Sequence, residues 1–398
     1  MRPHFLFAGA LAASAAPPLH AQQPVTREAA RAAALERGPR AALGRADTAA
    51  AAATTHGARL YPNPTLAATY TKDVPNYHLI ADVPLDLPWL RSARIGSAAA
   101  SQDAARLGFA FTRSAITFEL DTTYTAALAA AAHARLSRRT ATDADTLLAL
   151  ARLRREVGDV AELDVRLAEV NAGQLTNVAL SDSATAVDAV LAVQLAMGEP
   201  AESVTIVLAD TLEPPADSAP PPGGDLLPVA AARASLRGAE EDVSLAQRRL
   251  FPAPSLQVGV EGGDPAGPTG SLPTVGLSLP IPLFNWNGGE KAQAEAARAR
   301  AQAELDLTQR LALAELSRAR RSLALAGDRV IRDQRLLTSA DRVAAMSVQA
   351  YAEGAVALAS VLEAQRNARE VLARYIDDLA ALNNAAAVLR LAMAADTP

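Results

Sequence analysis

The feature that most constrains the fold is a long stretch without helix breakers. Residues 291–353 contain no proline and one glycine, Gly327. If this stretch is helical, it reaches roughly 95 Å at 1.5 Å per residue, which is longer than a compact domain needs. Just before it, residues 275–281 alternate between apolar and small or polar side chains, which predicts a strand with one apolar face. A strand that continues into so long a helix indicates a structure that crosses a wide space.

The same order of elements occurs twice, which indicates an internal duplication. Pro280 follows Pro84 by 196 positions, and Gly354 follows Gly158 by 196 positions. Residues 22–198 are predicted to form a first structural repeat and residues 226–398 a second. The first contains a strand hairpin (65–85), a long helix (90–157) and a return helix (159–198). The second contains a hairpin (255–281), a long helix (288–353) and a return helix (355–395). Residues 199–225 are rich in proline and glycine and are predicted to be a linker.

Composition narrows the classes of function. The 398 residues include no cysteine, which excludes disulfides, thiolate catalysis and a lipid attached to cysteine. The formal charge of −5 argues against nucleic acid as a partner. The chain is 50% hydrophobic but only 4% aromatic. Alanine therefore supplies much of the apolar content, as is typical of closely packed helices.

The N-terminus predicts export from the cytoplasm. Residues 1–21 have the pattern of a secretory signal peptide. No later stretch has eighteen uncharged apolar residues, so no membrane-spanning helix is expected. A periplasmic protein, an extracellular protein and an outer-membrane β-barrel remain open. Four strands cannot close a barrel alone, but three chains would supply twelve.

The strands alternate in a way that suits a barrel wall. One face carries apolar side chains and is expected to face lipid, whereas the polar side chains of the other face are expected to line a wet interior. The expected lipid-facing residues are Leu79, Val83, Val258, Leu277 and Leu279; the expected interior residues are His78, Asp82, Gln257 and Glu261. A soluble sheet with one wet face is the structural alternative.

No arrangement of residues predicts catalysis. The five histidines are isolated, and neither a His-Glu-x-x-His motif, a cysteine cluster nor a glycine-rich phosphate loop is present. We therefore expect no enzyme activity, no cofactor and no metal site.

Several short motifs follow one another in a fixed order along the chain: Gly38-Pro39, Tyr61-Pro62-Asn63-Pro64, the turns at Gly158 and Gly354, and Met197-Gly198. Taken together, these motifs resemble the TolC-type outer-membrane efflux proteins. The resemblance covers nearly all of the chain after the signal peptide. Residues 282–290 are similar to the corresponding segment of the CzcC/CusC-like branch, which is linked to metal-cation efflux. This chain has Trp286 and Gly288 where that branch has arginine and glutamine.

The resemblance implies a mainly α fold with a small β part. Each protomer of a homotrimer would give four strands to a twelve-stranded transmembrane barrel and its long helices to a periplasmic α-barrel. The protein would lie in outer-membrane lipid as a passive export duct. It would dock to a periplasmic adaptor (membrane fusion) protein and an inner-membrane pump of the resistance-nodulation-division type. The cargo stays open among metal cations, drugs and polypeptides.

The resemblance also implies roles for residues at the two turns. The helix tips that contact the adaptor would be Val157, Gly158, Asp159, Glu353, Gly354 and Ala355. The periplasmic gate would include Asp164, Tyr351 and Glu363, and three copies of the two acids would form a ring that favours cations. Ser360 and Val356 depart from the acid and the arginine found in the family. A plain turn, a solvated helix face and a packed aromatic are the structural alternatives.

A second function from another class fits the same helices. A secreted periplasmic coiled-coil interaction protein without a barrel would share the long helices, but it would be soluble in water. Migration on gels that changes on heating, and solubility that depends on detergent, distinguish the two.

Overall fold

A computed structural model describes residues 23–215, 223–249, 253–263, 271–284 and 286–396. The predicted signal peptide, residues 1–21, lies outside the described residues. The elements in chain order are β1 (Gln23–Val25), α1 (Arg27–Arg37), α2 (Pro39–Arg59), β2 (Thr65–Tyr70), β3 (Tyr77–Pro84), α3 (Pro88–Glu156), α4 (Glu162–Ala196), β4 (Ile206–Leu208), α5 (Leu227–Arg248), β5 (Ser255–Gly262), β6 (Leu272–Ser278), α6 (Gly288–Ala352) and α7 (Leu358–Ala392).

Two very long helices dominate the molecule. Helix α3 has 69 residues and α6 has 65, so each is roughly 100 Å long at 1.5 Å per residue. Pro88 occupies the first turn of α3, where its missing N–H costs nothing. Asn287, in the left-handed conformation with φ of 58°, directs the chain into α6. Helix α3 packs along α4, and α6 packs along α7, so each half of the chain forms one long helical hairpin.

The four strands of the two halves form one antiparallel sheet in the order β2-β3-β5-β6. The two halves meet where β3 pairs with β5, and Tyr77 pairs with Gly262 at the hairpin end of the sheet. Strand β6 ends at Ser278 rather than at residue 281, so the predicted strand was three residues too long at this end. Its partner β5 begins at Ser255, and Pro280 has no N–H to donate to a ladder. Leu279 therefore lies beyond the strand.

Part of the predicted linker, residues 199–225, is ordered by strand pairing. Strand β4 lies within this segment and pairs in parallel with β1. The buried side chain of Gln194 accepts from the N–H of Thr205 at 2.9 Å and donates to the carbonyls of Pro200 and Ser203. The sequence predicted a linker and gave no indication of this strand, because β4 is a run of three apolar residues whose partner lies far away in sequence.

The return helices begin later than predicted. Helix α4 begins at Glu162 and α7 at Leu358, whereas the sequence predicted starts at residues 159 and 355. The chain needs the residues between Gly158 and Ala161, and between Gly354 and Ala357, to reach the axis of the next helix. Both return helices have 35 residues and begin 196 positions apart (162 to 358), so the two hairpins are matched at their turns.

Helix α4 leaves much of its apolar surface uncovered. Among the described residues, it is the helix that is long and apolar enough to cross a membrane by length and composition, although little of that apolar stretch is buried. It also carries Asp182 and Asp188 and packs along α3. Its exposed apolar side chains include Leu180, Val187 and Leu195. This surface needs a cover that the single chain does not supply.

Candidate functional site

The turn between α3 and α4 closes with a pair of backbone hydrogen bonds around a left-handed glycine. Gly158 has φ of +85°. Its N–H donates to the carbonyl of Arg155 at 3.1 Å, and the N–H of Asp159 donates to the carbonyl of Arg154 at 2.9 Å. This is the Schellman arrangement, which satisfies the last carbonyls of a helix and requires a residue that tolerates positive φ.

The turn between α6 and α7 repeats this arrangement. Gly354 has φ of +78°. Its N–H donates to the carbonyl of Tyr351 at 3.0 Å, and the N–H of Ala355 donates to the carbonyl of Ala350 at 2.8 Å. The two hairpins therefore reverse direction by the same backbone geometry, at the two positions where the sequence predicts the turns.

The glycine at the first turn provides a test of backbone strain. A Cβ added at Gly158 would meet nothing within 4 Å, so Gly158→Ala adds only the cost of positive φ. We expect a loss of about 1–2 kcal/mol in unfolding free energy. Gly327→Ala, in the interior of α6 and also in open space, should instead stabilise the chain by about 0.8 kcal/mol. Thermal denaturation of both variants in detergent measures this, and equal shifts of the same sign would contradict it.

The six residues predicted to contact an adaptor lie at the two turns. All six are exposed, and Val157 leaves 67% of its surface accessible. The end of each hairpin therefore presents an apolar or small residue beside an acid. The residues are Val157, Gly158 and Asp159 at the first turn and Glu353, Gly354 and Ala355 at the second.

Arg154 ties the two turns together, a contact that the sequence analysis missed. Its Nη1 donates to the backbone carbonyl of Tyr351 at 2.7 Å. Its guanidinium carbon lies 4.7 Å from the centre of the Tyr351 ring, within the range of a cation–π contact. The two hairpins of one chain are thus joined directly beside their turns. One sequence signal was available, since Arg154 lies one helical turn before the glycine that ends α3.

Tyr351 is packed in an apolar cluster and does not hold the turns together through its hydroxyl. The residue is 1% exposed and packs with Leu147, Ala151 and Leu358. Its hydroxyl has no hydrogen-bond partner among the described residues. Burial raises the pKa of Tyr351; the charge of Arg154 opposes this rise, and the carboxylate of Asp164 adds to it. The ring and the backbone carbonyl, rather than the hydroxyl, make the contacts between hairpins.

The two acids that were predicted to line a gate have different surroundings within one chain. Asp164 is half-buried in the first turn of α4, close enough to Tyr351 to act on its pKa. Glu363 is exposed on α7 and pairs with Arg366 at 3.0 Å. Within one chain, Asp164 therefore belongs to the contact between the hairpins, whereas Glu363 lies on an open helix face.

The sheet separates polar from apolar side chains. On one face His78 pairs with Glu261, with Nδ1 to Oε1 at 3.3 Å, and Gln257 donates to Asp82 at 3.4 Å. On the other face the side chains are apolar and exposed: Leu79, Val83, Leu256, Val258, Val260 and Leu277. The rings of Tyr70 and Tyr77 lie 5.4 Å apart at the hairpin end. The structure thus places the nine predicted strand residues on these two faces, except Leu279, which follows β6.

A buried ion cluster fastens the far ends of the two repeats to each other. Asp121 on α3 is 1% exposed. Its Oδ1 accepts from Arg31 on α1 at 2.6 Å, and its Oδ2 accepts from Arg390 on α7 at 2.8 Å. Burial lowers the pKa of the neighbouring Arg27, and the charge of Asp121 opposes that shift. In the sequence, the only indication of this cluster is that the acid Asp121 lies among the apolar positions Ile116, Leu120 and Tyr124. The sequence prediction did not include it.

Comparison with known proteins relates the second half of this chain to one family. Residues 227–395, which contain α5, β5, β6, α6 and α7, match the family model described as "Outer membrane efflux protein". The second half of the chain is therefore similar to the outer membrane efflux proteins. This family consists of channels rather than enzymes, and its members lie in the outer membrane.

Solved structures of an outer-membrane protein and of two membrane channels share the fold over nearly the whole chain. VceC of Vibrio cholerae is 17% identical, with a TM-score of 0.76, and the match covers 93% of this chain and 96% of VceC. CusC is 16% identical, with a TM-score of 0.79, covering 93% and 92% of the two chains. The open state of MtrE of Neisseria gonorrhoeae is 15% identical, with a TM-score of 0.76, covering 99% and 98%. None of the curated protein sequences matches the chain.

The chain shows no metal site among its described residues. No group of three or more histidine, aspartate or glutamate side chains there is placed to hold a metal ion. The predicted absence of a resident metal stays a prediction for the chain as a whole.

Proposed function

We propose that three copies of this chain form a passive export duct through the outer membrane. The observation that carries the proposal is the four-stranded sheet, whose exposed face is apolar and whose outer strands, β2 and β6, each have one neighbour among the described strands. Unpaired strand edges are not tolerated in lipid. Pairing β6 of one copy with β2 of the next, three times over, gives twelve strands and closes the barrel.

The helices below the sheet support the same assembly. Helices α4 and α6 both expose apolar side chains along their length, such as Leu180 and Val187 on α4 and Leu311 and Leu325 on α6. An exposed apolar surface of this extent on a protein in water marks a site where a partner binds and covers it. Further copies of the chain would cover it by continuing the ring of helices, which would form a tunnel about 100 Å long.

The duct would move cargo by diffusion, and its energy would come from a partner pump. The polar face of the sheet, with His78 and Glu261, would line a wet channel. The helix tips would form the closed end, held by the contact between Arg154 and Tyr351. Docking of a periplasmic adaptor at the tips would release this contact and open the entrance. The adaptor would touch the six exposed turn residues described above.

The proposed pump is an inner-membrane transporter of the resistance-nodulation-division type, and metal cations are the proposed cargo class. Residues 282–290 support the cargo through their similarity to the CzcC/CusC-like branch, and the fold likeness to CusC is consistent with it. Measuring metal and drug susceptibility of a strain that lacks the gene distinguishes cation efflux from drug efflux.

The assembly itself is tested by isolating the protein from membranes in detergent. We expect a trimer that migrates faster on gels before heating than after, and that conducts ions in planar lipid bilayers. A water-soluble monomer without conductance would instead support the alternative, a secreted periplasmic coiled-coil protein without a barrel.

The predicted acidic ring gives a prediction about ion selectivity. Asp164→Ala combined with Glu363→Ala would remove six negative charges from the entrance of a trimer. We expect the preference for cations over anions to fall severalfold in single-channel recordings, because rings of carboxylates favour cations. Asp145→Ala combined with Glu315→Ala removes the same charge from exposed positions away from the turns and should leave selectivity unchanged. Equal selectivity in both double variants would contradict the ring.

A further inference from the structure

A buried carboxyl group lies in the seam between α6 and α7, away from the turns. Asp333 is 6% exposed and follows Val330 by three positions, on the face of α6 that packs against α7. Its Oδ2 is buried and has no hydrogen-bond partner among the described residues. A buried polar atom without a partner destabilises the fold, so a structure seldom keeps one without a reason.

A second carboxyl group, that of Asp378, lies across the seam and pairs with Arg329, one helical turn before Asp333 on α6. Asp378 on α7 lies within hydrogen-bonding reach of Asp333. Asp378 also accepts from Nε of Arg329 on α6 at 3.2 Å. Burial, and then Asp378, raise the pKa of Asp333, whereas the charges of Arg374 and Arg332 lower it by less. Two carboxylates this close repel each other unless a proton lies between them.

The other groups around the seam have partners elsewhere or make no salt bridge to Asp333. On α7, Asp377 points to α3 and bonds Nε2 of His133 at 2.8 Å. Tyr375 packs in the apolar cluster of the seam. From the segment after α4, Leu212 packs against the same cluster, and the carbonyl of Glu213 accepts from Asn383. Neither Arg332 nor Arg374 makes a salt bridge to Asp333 among the described residues.

We propose that Asp333 and Asp378 form a proton-binding site that joins α6 to α7. One proton from solvent binds to the pair, so that one carboxyl donates an O–H···O hydrogen bond to the other and the two groups carry one negative charge. That charge is balanced by Arg329 on the side of Asp378. When the proton leaves, the two negative charges face each other and the seam loosens. The site is independent of the export duct proposed above, because it needs only the α6–α7 hairpin of one chain.

The sign of the pH effect follows from the raised pKa of Asp333. In the unfolded chain this carboxyl releases its proton near its ordinary value of 3.8. The folded chain keeps the proton to higher pH, so between these values the folded state binds more protons than the unfolded state. The stability from this site is therefore complete below pH 3.8 and is lost as pH rises through the raised value.

Hydrogen–deuterium exchange of the purified full-length protein tests the site. We expect amides of residues 323–340 and 370–386 to lose protection as the pH rises from about 4 to about 8, after correction for intrinsic exchange, by about tenfold for each unit by which the pKa is raised. Asp333→Asn supplies a permanent N–H donor and should keep these amides protected at both pH values. Asp328→Asn, at an exposed aspartate on the same helix, should behave like the wild type.

Infrared spectroscopy provides a second test, which stays informative if Asp333→Asn perturbs the fold. We expect the carboxylic acid C=O band of the folded protein, measured just above pH 4, to weaken in Asp333→Asn and in Asp378→Asn, and to persist in Asp328→Asn. The proposal is overturned if wild type and Asp333→Asn show the same pH profile of exchange. It is also overturned if Mg²⁺ restores protection at high pH in the wild type alone, because the pair would then bind a cation.

Discussion

Replacing Arg154 with alanine should open the closed end of the proposed duct. The change removes a charge-assisted hydrogen bond to the carbonyl of Tyr351 and the cation–π contact with its ring. Together these are worth about 2 kcal/mol at a half-buried site. An equilibrium between closed and open tips would shift by roughly 30-fold. Single-channel recordings should show a matching rise in open probability, and cells should become sensitive to a large antibiotic that the closed duct excludes.

Arg155→Ala is the matched control for this prediction. Arg155 is the next residue of α3 and is exposed, so the control removes the same charge from the same helical turn without touching Tyr351. Arg154→Lys refines the result, because lysine keeps the charge but loses the planar guanidinium. If Arg154→Ala and Arg155→Ala have the same open probability, the contact between the hairpins does not hold the entrance closed.

Asp121→Ala should produce the largest loss of stability. The carboxylate is buried and accepts hydrogen bonds from Arg31 and Arg390, and removing it leaves these guanidiniums beside Arg27 without the negative charge that balances them. Breaking a fully buried ion pair costs about 3–5 kcal/mol. Both arginines are partly exposed, so water reduces the effect here to about 2–4 kcal/mol. Thermal denaturation followed by circular dichroism in detergent measures the loss.

Two further variants separate charge from packing at this position. Asp121→Asn keeps the shape and loses the charge, so it should recover only part of the stability lost in Asp121→Ala. Asp145→Ala removes an exposed acid from the same helix and should change stability by less than about 0.5 kcal/mol. A small loss in Asp121→Ala, equal to that of Asp145→Ala, would show that the cluster does not fasten α1 and α7 to α3.

The elements that the sequence predicted are those set by local rules. Alternating side chains place the four strands and their two faces, and the lack of breakers gives α3 and α6 their length. Gly158 and Gly354 mark the turns because few other residues accept positive φ. These features depend only on residues that are close together in sequence. A single sequence, without an alignment, is therefore enough to predict them.

The features that the sequence did not predict depend on contacts between distant residues. Arg154 and Tyr351 are 197 positions apart, and Asp121 and Arg390 are 269 apart. An arginine on a helix surface resembles any other solvated residue until its partner is placed. The pairing of β1 with β4 was missed for the same reason, since a run of three residues gives no pattern on its own.

The contact of Arg154 also breaks the likeness between the two halves of the chain. At 196 positions further on, Arg154 corresponds to Ala350, whereas Tyr351 corresponds to Arg155 in the first half. The contact between Arg154 and Tyr351 therefore has no counterpart at the equivalent positions of the other half. In a closed ring of such chains, two kinds of turn would alternate around the helix tips. One kind carries the guanidinium of Arg154, and the other carries Tyr351, which it contacts. An equal force applied to every turn would meet a different resistance at the two kinds of turn. The ring of helix tips would then rotate.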